Sequence, residues 1–455
     1  MQTTLPLPAI QPDRTAPAPP KPRRLSGAGR ALRETLLVAA LVAAATLPFL
    51  ASPHPGRRAA AYCLNPVNLG GRLHVDLNCD SHVFLVLAED PRRVLTPGSG
   101  AWQSRPLYAA LGWALAMPYR AAGLEAVGAR LPSRAYAPGR GGAPPGRLLP
   151  WYAGFITLNA LLLAASLMLF RRMVGARSYR DPAIVLPVAV LLANEVTRAF
   201  FWTPHLQLFN VFVPVLSLWL FCRLQPRLGT LGMARAAGMG AALGVCALAY
   251  GAFAVPAAGA ALLLLAGGPP LGRRVARAAA LLAAFALPLL AWTAYVVWRT
   301  GSFHAPEVAR YRQFVWMADA AARGPGAFAG ELAANLGEYV GMVGRAAAFP
   351  ALMVASLALA MHVRGGIRAA GEHERRVGVA VAVYLLASLP FFGLMGFYAT
   401  RLAWTVVPAL LAVMALETAA LRDRMGTRRW MATAAAVVLA LAHTAFWVMR
   451  TGPFS

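Results

Sequence analysis

The stretch His74–Leu107, HVDLNCDSHVFLVLAEDPRRVLTPGSGAWQSRPL, is the one long segment that gathers carboxylates, a histidine, a cysteine and aromatic residues between apolar runs. It holds Asp76, Asp80, Glu89 and Asp90, four of only 17 acidic residues in a chain of 455. Carboxylates so scarce are candidates for chemistry. The rest of the sequence reads as the scaffold that holds them.

Composition sets the class before any motif. With 58% hydrophobic residues, 13% charged residues and a mean hydropathy of +0.55, the chain reads as an all-α polytopic membrane protein. A net charge of +26 would suggest a nucleic-acid partner for a soluble protein. Here the arginines recur in short clusters between apolar runs of spanning length, where they act as topology signals. Membrane lipids are therefore the expected partners, and nucleic acid is not.

Residues 1–33 are rich in Pro and Ala, carry Lys21, Arg23, Arg24, Arg30 and Arg33, and offer no apolar face, which predicts a disordered basic cytoplasmic tail. Residues 34–455 then form a single transmembrane domain. The run Leu36–Leu50 reads as an uncleaved anchor. Small residues at Ala51 and Ser52 would also suit a signal-peptide cleavage site, but the long preceding tail argues for retention. Further spans read as Leu148–Phe170, Pro182–Phe200, Leu206–Phe221, Ala236–Ala249, Ala252–Leu265, Val275–Val297, Ala346–Met361, Val377–Leu394, Leu402–Leu421 and Trp430–Met449, giving eleven crossings. Alternate connections in this scheme, at 14–33, 171–180, 223–235, 273–277, 364–376 and 422–429, collect 24 of the 43 basic residues. Basic residues of short loops stay cytoplasmic, so the N-terminus is expected inside the cell membrane and the C-terminus outside.

Two stretches decide the count. Pro106–Gly123, PLYAALGWALAMPYRAAG, is apolar enough to pass for a span, but a crossing there would put Arg171 and Arg172 outside. It is expected instead as an interfacial amphipathic helix of the first outer loop, with Tyr108, Trp113 and Tyr119 at headgroup level and Pro118 breaking it. An ordinary span is the alternative. Between Arg235 and Arg273, basic residues at both ends demand an even number of crossings. A hairpin of two short helices, broken at Tyr250, Gly251 and Pro256, satisfies this, and interrupted helices often line a polar cavity.

The outer face would then consist of a long loop 51–147, a second loop 299–345, and short turns near Thr203–Gln207, Tyr250 and Phe397–Arg401. Cys63 and Cys79 in the long loop could form a disulfide there or stay reduced, whereas Cys222 and Cys246 imply no partner. No C-x-x-C or H-x-x-x-H pair occurs and no glycine loop leads into Lys-Ser/Thr, so neither a zinc signature nor a Walker loop is present.

The order of features resembles the GT-C superfamily, the membrane glycosyltransferases that use polyprenyl-phosphate sugars, among them the protein mannosyltransferases and the lipid A aminoarabinose transferases. Those proteins have an N-terminal span, an outer loop opening with an acidic motif of the type DE-x-x-Y-x-x-x-A, a PPL-x-Y segment that begins a juxtamembrane helix, and a span ending in paired arginines. The corresponding residues here are Asp80-Ser81-His82-Val83-Phe84 up to Ala88, then Arg105-Pro106-Leu107-Tyr108, then Phe170-Arg171-Arg172. The hairpin at 236–265 and the segment Tyr295–Trp316 are similar to the superfamily's later region, so the likeness covers most of the chain. Ser81 stands where a second acid is usual, and Phe84 replaces the tyrosine. Either departure fits a distinct acceptor, a distinct donor or lost activity.

The resemblance implies transfer of a sugar from a polyprenyl-phosphate donor to an acceptor hydroxyl at the extracytoplasmic face. A carboxylate would deprotonate or orient the hydroxyl, and a cationic pocket would stabilise the departing lipid phosphate. Asp80 is the favoured carboxylate, with Asp76 one helical turn away if the segment is helical; Asp80 could instead, or in addition, cap the run Val83–Ala88. Arg105, His304, Arg310, Arg312 and Arg401 are the phosphate candidates, since guanidinium donors bind oxygens in pairs, and contact with lipid headgroups is their plainer role. His205 and Glu195 could also face the cavity, although Glu195 could simply pair with Arg198. A divalent metal is compatible with this chemistry, and the sugar and acceptor stay open. The competing classes are a transporter or lipid flippase and a non-catalytic assembly subunit on the same scaffold. Against transport, no repeat relates two halves, and polar residues concentrate in one outer loop.

Overall fold

Helices make up nearly all of this computed structural model, which describes residues 27–53, 64–70, 73–96, 103–130, 145–305, 308, 311–363, 371–425 and 429–450. Eight helical segments among them are long and apolar enough to cross a membrane: residues 31–51, 147–173, 206–227, 271–300, 325–362, 372–395, 400–424 and 430–449. Three shorter apolar helices accompany them, Pro182–Leu192, Met233–Ala247 and Gly251–Ala266. At 1.5 Å per residue these fall short of a ~30 Å hydrocarbon core. The chain is an all-α, multi-pass membrane protein.

The first helix, α1 (Gly27–Thr46), passes into a 3₁₀ turn at Leu47–Ala51. It begins inside the stretch expected to be a tail, because residues 27–33 join the apolar run without a breaker; residues 1–26 lie outside the described residues. An antiparallel hairpin follows, β1 (Leu64–Gly70) and β2 (Leu73–Asn78), in which Asp76 pairs with Pro66. Alternating Leu73, Val75 and Leu77 give the period of two that suits a strand. Asp76 is therefore not one helical turn from Asp80. Asn78 caps α2 (Cys79–Glu89), its side chain accepting from the Asp80 N–H at 3.0 Å, so Asp80 itself is not the cap.

Next, α3 (Pro106–Ala121) and α4 (Leu124–Ala129) pack on α5 (Pro145–Met173). Pro118 lies within α3 and does not end it; the chain turns at Gly123, where φ is +77°. The approach to α5 is backbone-close, since a Cβ at Gly154 would stand 2.6 Å from the Gly112 carbonyl oxygen. Trp113 is exposed, but Tyr108 is fully buried and Tyr119 shares a 2.6 Å hydrogen bond with Thr157. Tyr108 thus belongs to the core and not to a headgroup belt.

The run Pro182–Phe200 is two helices, α6 (Pro182–Leu192) and α7 (Glu195–Phe200), divided where Asn194 accepts from the Thr197 N–H and donates back to Val190 and Leu191. After α8 (Phe209–Leu224), α9 (Met233–Ala247) and α10 (Ala254–Ala266) form a hairpin broken at Tyr250. Pro256 falls in the first turn of α10, where an N–H would have no helical partner. Then α11 (Leu271–Thr300) crosses α9 at Gly240 and Gly244, whose added Cβ atoms would collide with the carbonyl oxygens of Leu281 and Phe285. The segment 299–345, expected as a loop, holds α12 (Val315–Ala322) and the first half of α13 (Pro325–Val363), a helix of 39 residues that starts well before Ala346. The order closes with α14 (Glu372–Met395), the single turn α15 (Thr400–Ala403), α16 (Val407–Arg424) and α17 (Arg429–Met449).

Leu290 of α11, Leu359 of α13 and Leu441 of α17 are 65%, 63% and 66% exposed, an apolar surface suited to lipid and not to water. Within the helices, hydroxyls bond to their own backbone: Ser166 donates to Leu162 and Ser217 to Val213. In hydrocarbon an unpaired hydroxyl would cost several kcal/mol, on the order of the water-to-alkane penalty.

Candidate active-site cavity

Three interruptions in the apolar helices meet at one end of the bundle. The turn after α7 is fixed by Asn159 of α5, whose amide donates to the carbonyls of Phe200, Phe201 and Thr203 at 3.1, 2.9 and 3.1 Å. His205 follows directly. The break between α9 and α10 is joined to α3 by a 3.3 Å hydrogen bond from the Leu107 N–H to Leu248, which brings Arg105 beside Tyr250. The turn after α14 starts at Gly396, with φ +75°, where any Cβ would strike the Trp316 indole. That indole donates to Leu394 at 2.9 Å, and Phe397 and Arg401 follow in sequence. Asp80 enters from the first turn of α2, where the helix dipole favours a carboxylate.

Together these elements enclose a cavity of about 350 Å³. Its polar lining includes Asp80, Arg105, His205, Gln207, Tyr250 and Arg401; Phe285 and Leu289 of α11, Phe391, Phe392 and Met395 of α14, and Tyr311, Phe314 and Phe397 add apolar and aromatic wall. An Asp80 carboxylate oxygen stands 3.4 Å from His205 Nε2, with His205 almost fully buried and Asp80 about one-quarter exposed, at 26%. The His205 ring lies 4.7 Å from that of Phe200 and 6.1 Å from that of Phe84. The Arg105 guanidinium stacks 5.2 Å from the Tyr250 ring centre, and that of Arg401 lies 5.9 Å from Phe200.

His205 lies in the turn between helices, outside the spans. Burial lowers its pKa to about 4; Asp80 opposes the shift, and Arg401 and Arg105 reinforce it. The imidazole is neutral at neutral pH. Two guanidiniums against one carboxylate leave the cavity with excess positive charge. Among the described residues, the buried Arg401 Nε and His205 Nδ1 have no hydrogen-bond partner.

Four of the residues singled out in the sequence, Asp80, Arg105, His205 and Arg401, are thus brought together. Others are not. Arg312 is exposed, in a left-handed conformation with φ +51°, and pairs with Asp319. His304 presents its backbone N–H to Gln103 Oε1 at 2.6 Å while its imidazole is not part of the cavity lining. Gln103 also donates to the Val94 carbonyl at 3.0 Å and accepts from the Trp292 indole at 2.7 Å, tying the first long connection to the end of α11. Arg198 donates to the carbonyls of Pro53 and Arg450. Glu89 pairs with Arg147, and Asp90 accepts from the Arg92 N–H in a turn. Arg310 and Cys63 lie outside the described residues, as do the side chains of Asp76 and Cys79, and with them the expected disulfide.

Sequence reading missed Gln207, Tyr311 and the aromatic wall. In a chain this apolar, nothing marks a Phe that faces a cavity from one that faces lipid. Among the described residues no group of three or more His, Cys, Asp or Glu is placed to hold a metal ion. No family model, curated protein or solved structure matches the chain.

Proposed function

We propose that this protein is a GT-C-type membrane glycosyltransferase that moves a sugar from a polyprenyl-phosphate donor to an acceptor hydroxyl. The observation that carries the reading is one cavity shared by Asp80, Arg105, Arg401 and His205, with an apolar wall beside them. In the step, the acceptor oxygen bonds to the anomeric carbon as the bond from that carbon to the phosphate oxygen breaks, and the hydroxyl proton passes to Asp80. The donor is a phosphodiester with one negative charge, and the leaving polyprenyl phosphate gains a second. Excess positive charge from Arg105 and Arg401 therefore stabilises the transition state more than the ground state, which is the condition for catalysis. The apolar wall suits a prenyl chain. His205, neutral beside Asp80, keeps the carboxylate oriented without neutralising it.

In this reading the eight long helices cross the membrane and the three short apolar ones cross together with the turns that follow or precede them, giving eleven crossings, with the N-terminus cytoplasmic, the C-terminus extracytoplasmic and the cavity facing outward. The clusters at 171–180, 223–235 and 422–429 support that orientation. In a cysteine-free background, Ala322→Cys should react with an impermeant maleimide on intact cells, and Gly229→Cys only after permeabilisation. Labelling of Gly229→Cys from outside would overturn the scheme.

The direct test is transfer of radiolabelled sugar from a panel of polyprenyl-phosphate donors by the purified protein. Arg105→Ala and Arg401→Ala should each weaken donor binding by about 10- to 100-fold, the size of one or two charge-assisted hydrogen bonds. Arg312→Ala should leave it unchanged. Equal affinity in all three variants would remove the phosphate site.

A further inference from the structure

Asn210 does not line the cavity, yet three of the cavity's elements converge on its side chain. It is fully buried in the first turn of α8. Its Nδ2 donates to the Arg401 backbone carbonyl at 3.0 Å and to Gln207 Oε1, and its Oδ1 accepts from the Tyr250 hydroxyl. Tyr250 in turn carries the Arg105 guanidinium over its ring. A carboxamide offers two N–H donors and one carbonyl acceptor, and here both kinds of group are used. Its partners belong to the turn after α7, the break between α9 and α10, and the turn that bears Arg401.

A buried amide in an apolar helix is expensive to desolvate, and a leucine would fill similar space without that cost. The return is geometric. Arg105 and Arg401 repel each other and sit on separate elements, Arg105 at the N-cap of α3 and Arg401 in α15, so without a tie each could relax away from the other. We infer that Asn210 is a positioning residue that holds the two guanidiniums around one anion, Arg401 through its backbone and Arg105 through the Tyr250 ring. The inference rests on the proposed phosphate site. Fixing the donors before the ligand arrives removes a reorganisation that binding would otherwise have to drive.

The test uses full-length protein in lipid nanodiscs and two short probes, geranyl phosphate and geraniol, which share the chain and differ in the anion. Asn210→Ala should weaken geranyl phosphate about tenfold, equivalent to misplacing one charge-assisted contact, with geraniol affinity held near wild type although the melting temperature falls, since three buried polar groups lose their partner. Tyr250→Phe, which deletes only the hydroxyl, should give a smaller loss of the same selectivity and covers the case in which Asn210→Ala does not fold. Parallel loss of both probes would make Asn210 structural and overturn the inference. So would unchanged binding in Asn210→Ala and Tyr250→Phe while Arg105→Ala and Arg401→Ala lose the phosphate probe. If the two arginine variants bind both probes as wild type does, the phosphate site itself fails, and the inference falls with it.

Discussion

Asp80→Asn is expected to cut sugar transfer by about 10²- to 10⁴-fold, the usual contribution of a positioned general base. Folding should be nearly unaffected. The cap of α2 is the Asn78 side chain acting on the Asp80 N–H, and that bond survives any change of the Asp80 side chain. What is lost is a carboxylate in the first turn of a helix, worth about 0.3–1 kcal/mol at a surface-like site. Donor affinity should not fall, because removing the negative charge leaves Arg105 and Arg401 less compensated. The signature is thus a kcat defect with donor KM unchanged or lower, opposite to that of the arginine variants. Parental transfer by Asp80→Asn together with an inactive Asp76→Asn would move the base to β2. Full activity in both would leave the carboxylate mechanism without a base, and the transporter or assembly reading would take its place.

The largest effect on stability is expected at the crossing of α9 and α11. A side chain at Gly244 must displace the Phe285 carbonyl, which is helix backbone and cannot rotate aside. Gly244→Leu should therefore force the helices apart and cost about 3 kcal/mol or more, above the ordinary range for overpacking, because close packing is what holds helices together in lipid. Gly238→Leu is the control: it lies on the same helix, and a Cβ there meets nothing within 4 Å. Thermal unfolding in nanodiscs should separate the two variants clearly. Equal melting temperatures would show that the contact is not structural. Phe285 also lines the cavity, so the milder Gly244→Ala should disturb the apolar wall and weaken geraniol binding even where the protein still folds.

How much of this was legible in the sequence depends on how much contrast each residue makes with its surroundings. Asp80, Arg105, His205 and Arg401 stand out because ionisable groups near the ends of apolar runs are rare and costly, and those four do share a cavity. Arg312 and His304 had the same apparent merit, but lying on a loop does not say where a side chain points. Arg312 satisfies itself locally with Asp319. The β-hairpin was readable in the alternation of Leu73, Val75 and Leu77 and was overlooked because the acids drew the reading toward a helix. The start of α13 fell in the connection expected between two spans, although Glu331 and Glu338, seven residues apart, are compatible with one face of a helix. Asn210 and Asn159 could not be found at all: a lone amide in a span reads as a blemish until its partners are known.

The cavity draws its carboxylate from residue 80 and its second cation from residue 401, and its Gln103 tie reaches residues 292 and 304. At a synthesis rate of ~5–20 residues per second, roughly 15–65 s separate the emergence of the two charged ends. Over that interval the nascent chain carries a carboxylate and one arginine, but the helices and turn that complete the pocket have not yet been made. A ribosome that stalls before residue 401 would leave an inserted chain that lacks the second cation of the cavity. On the proposed function, the site for the leaving phosphate would be incomplete until residue 401 has been made.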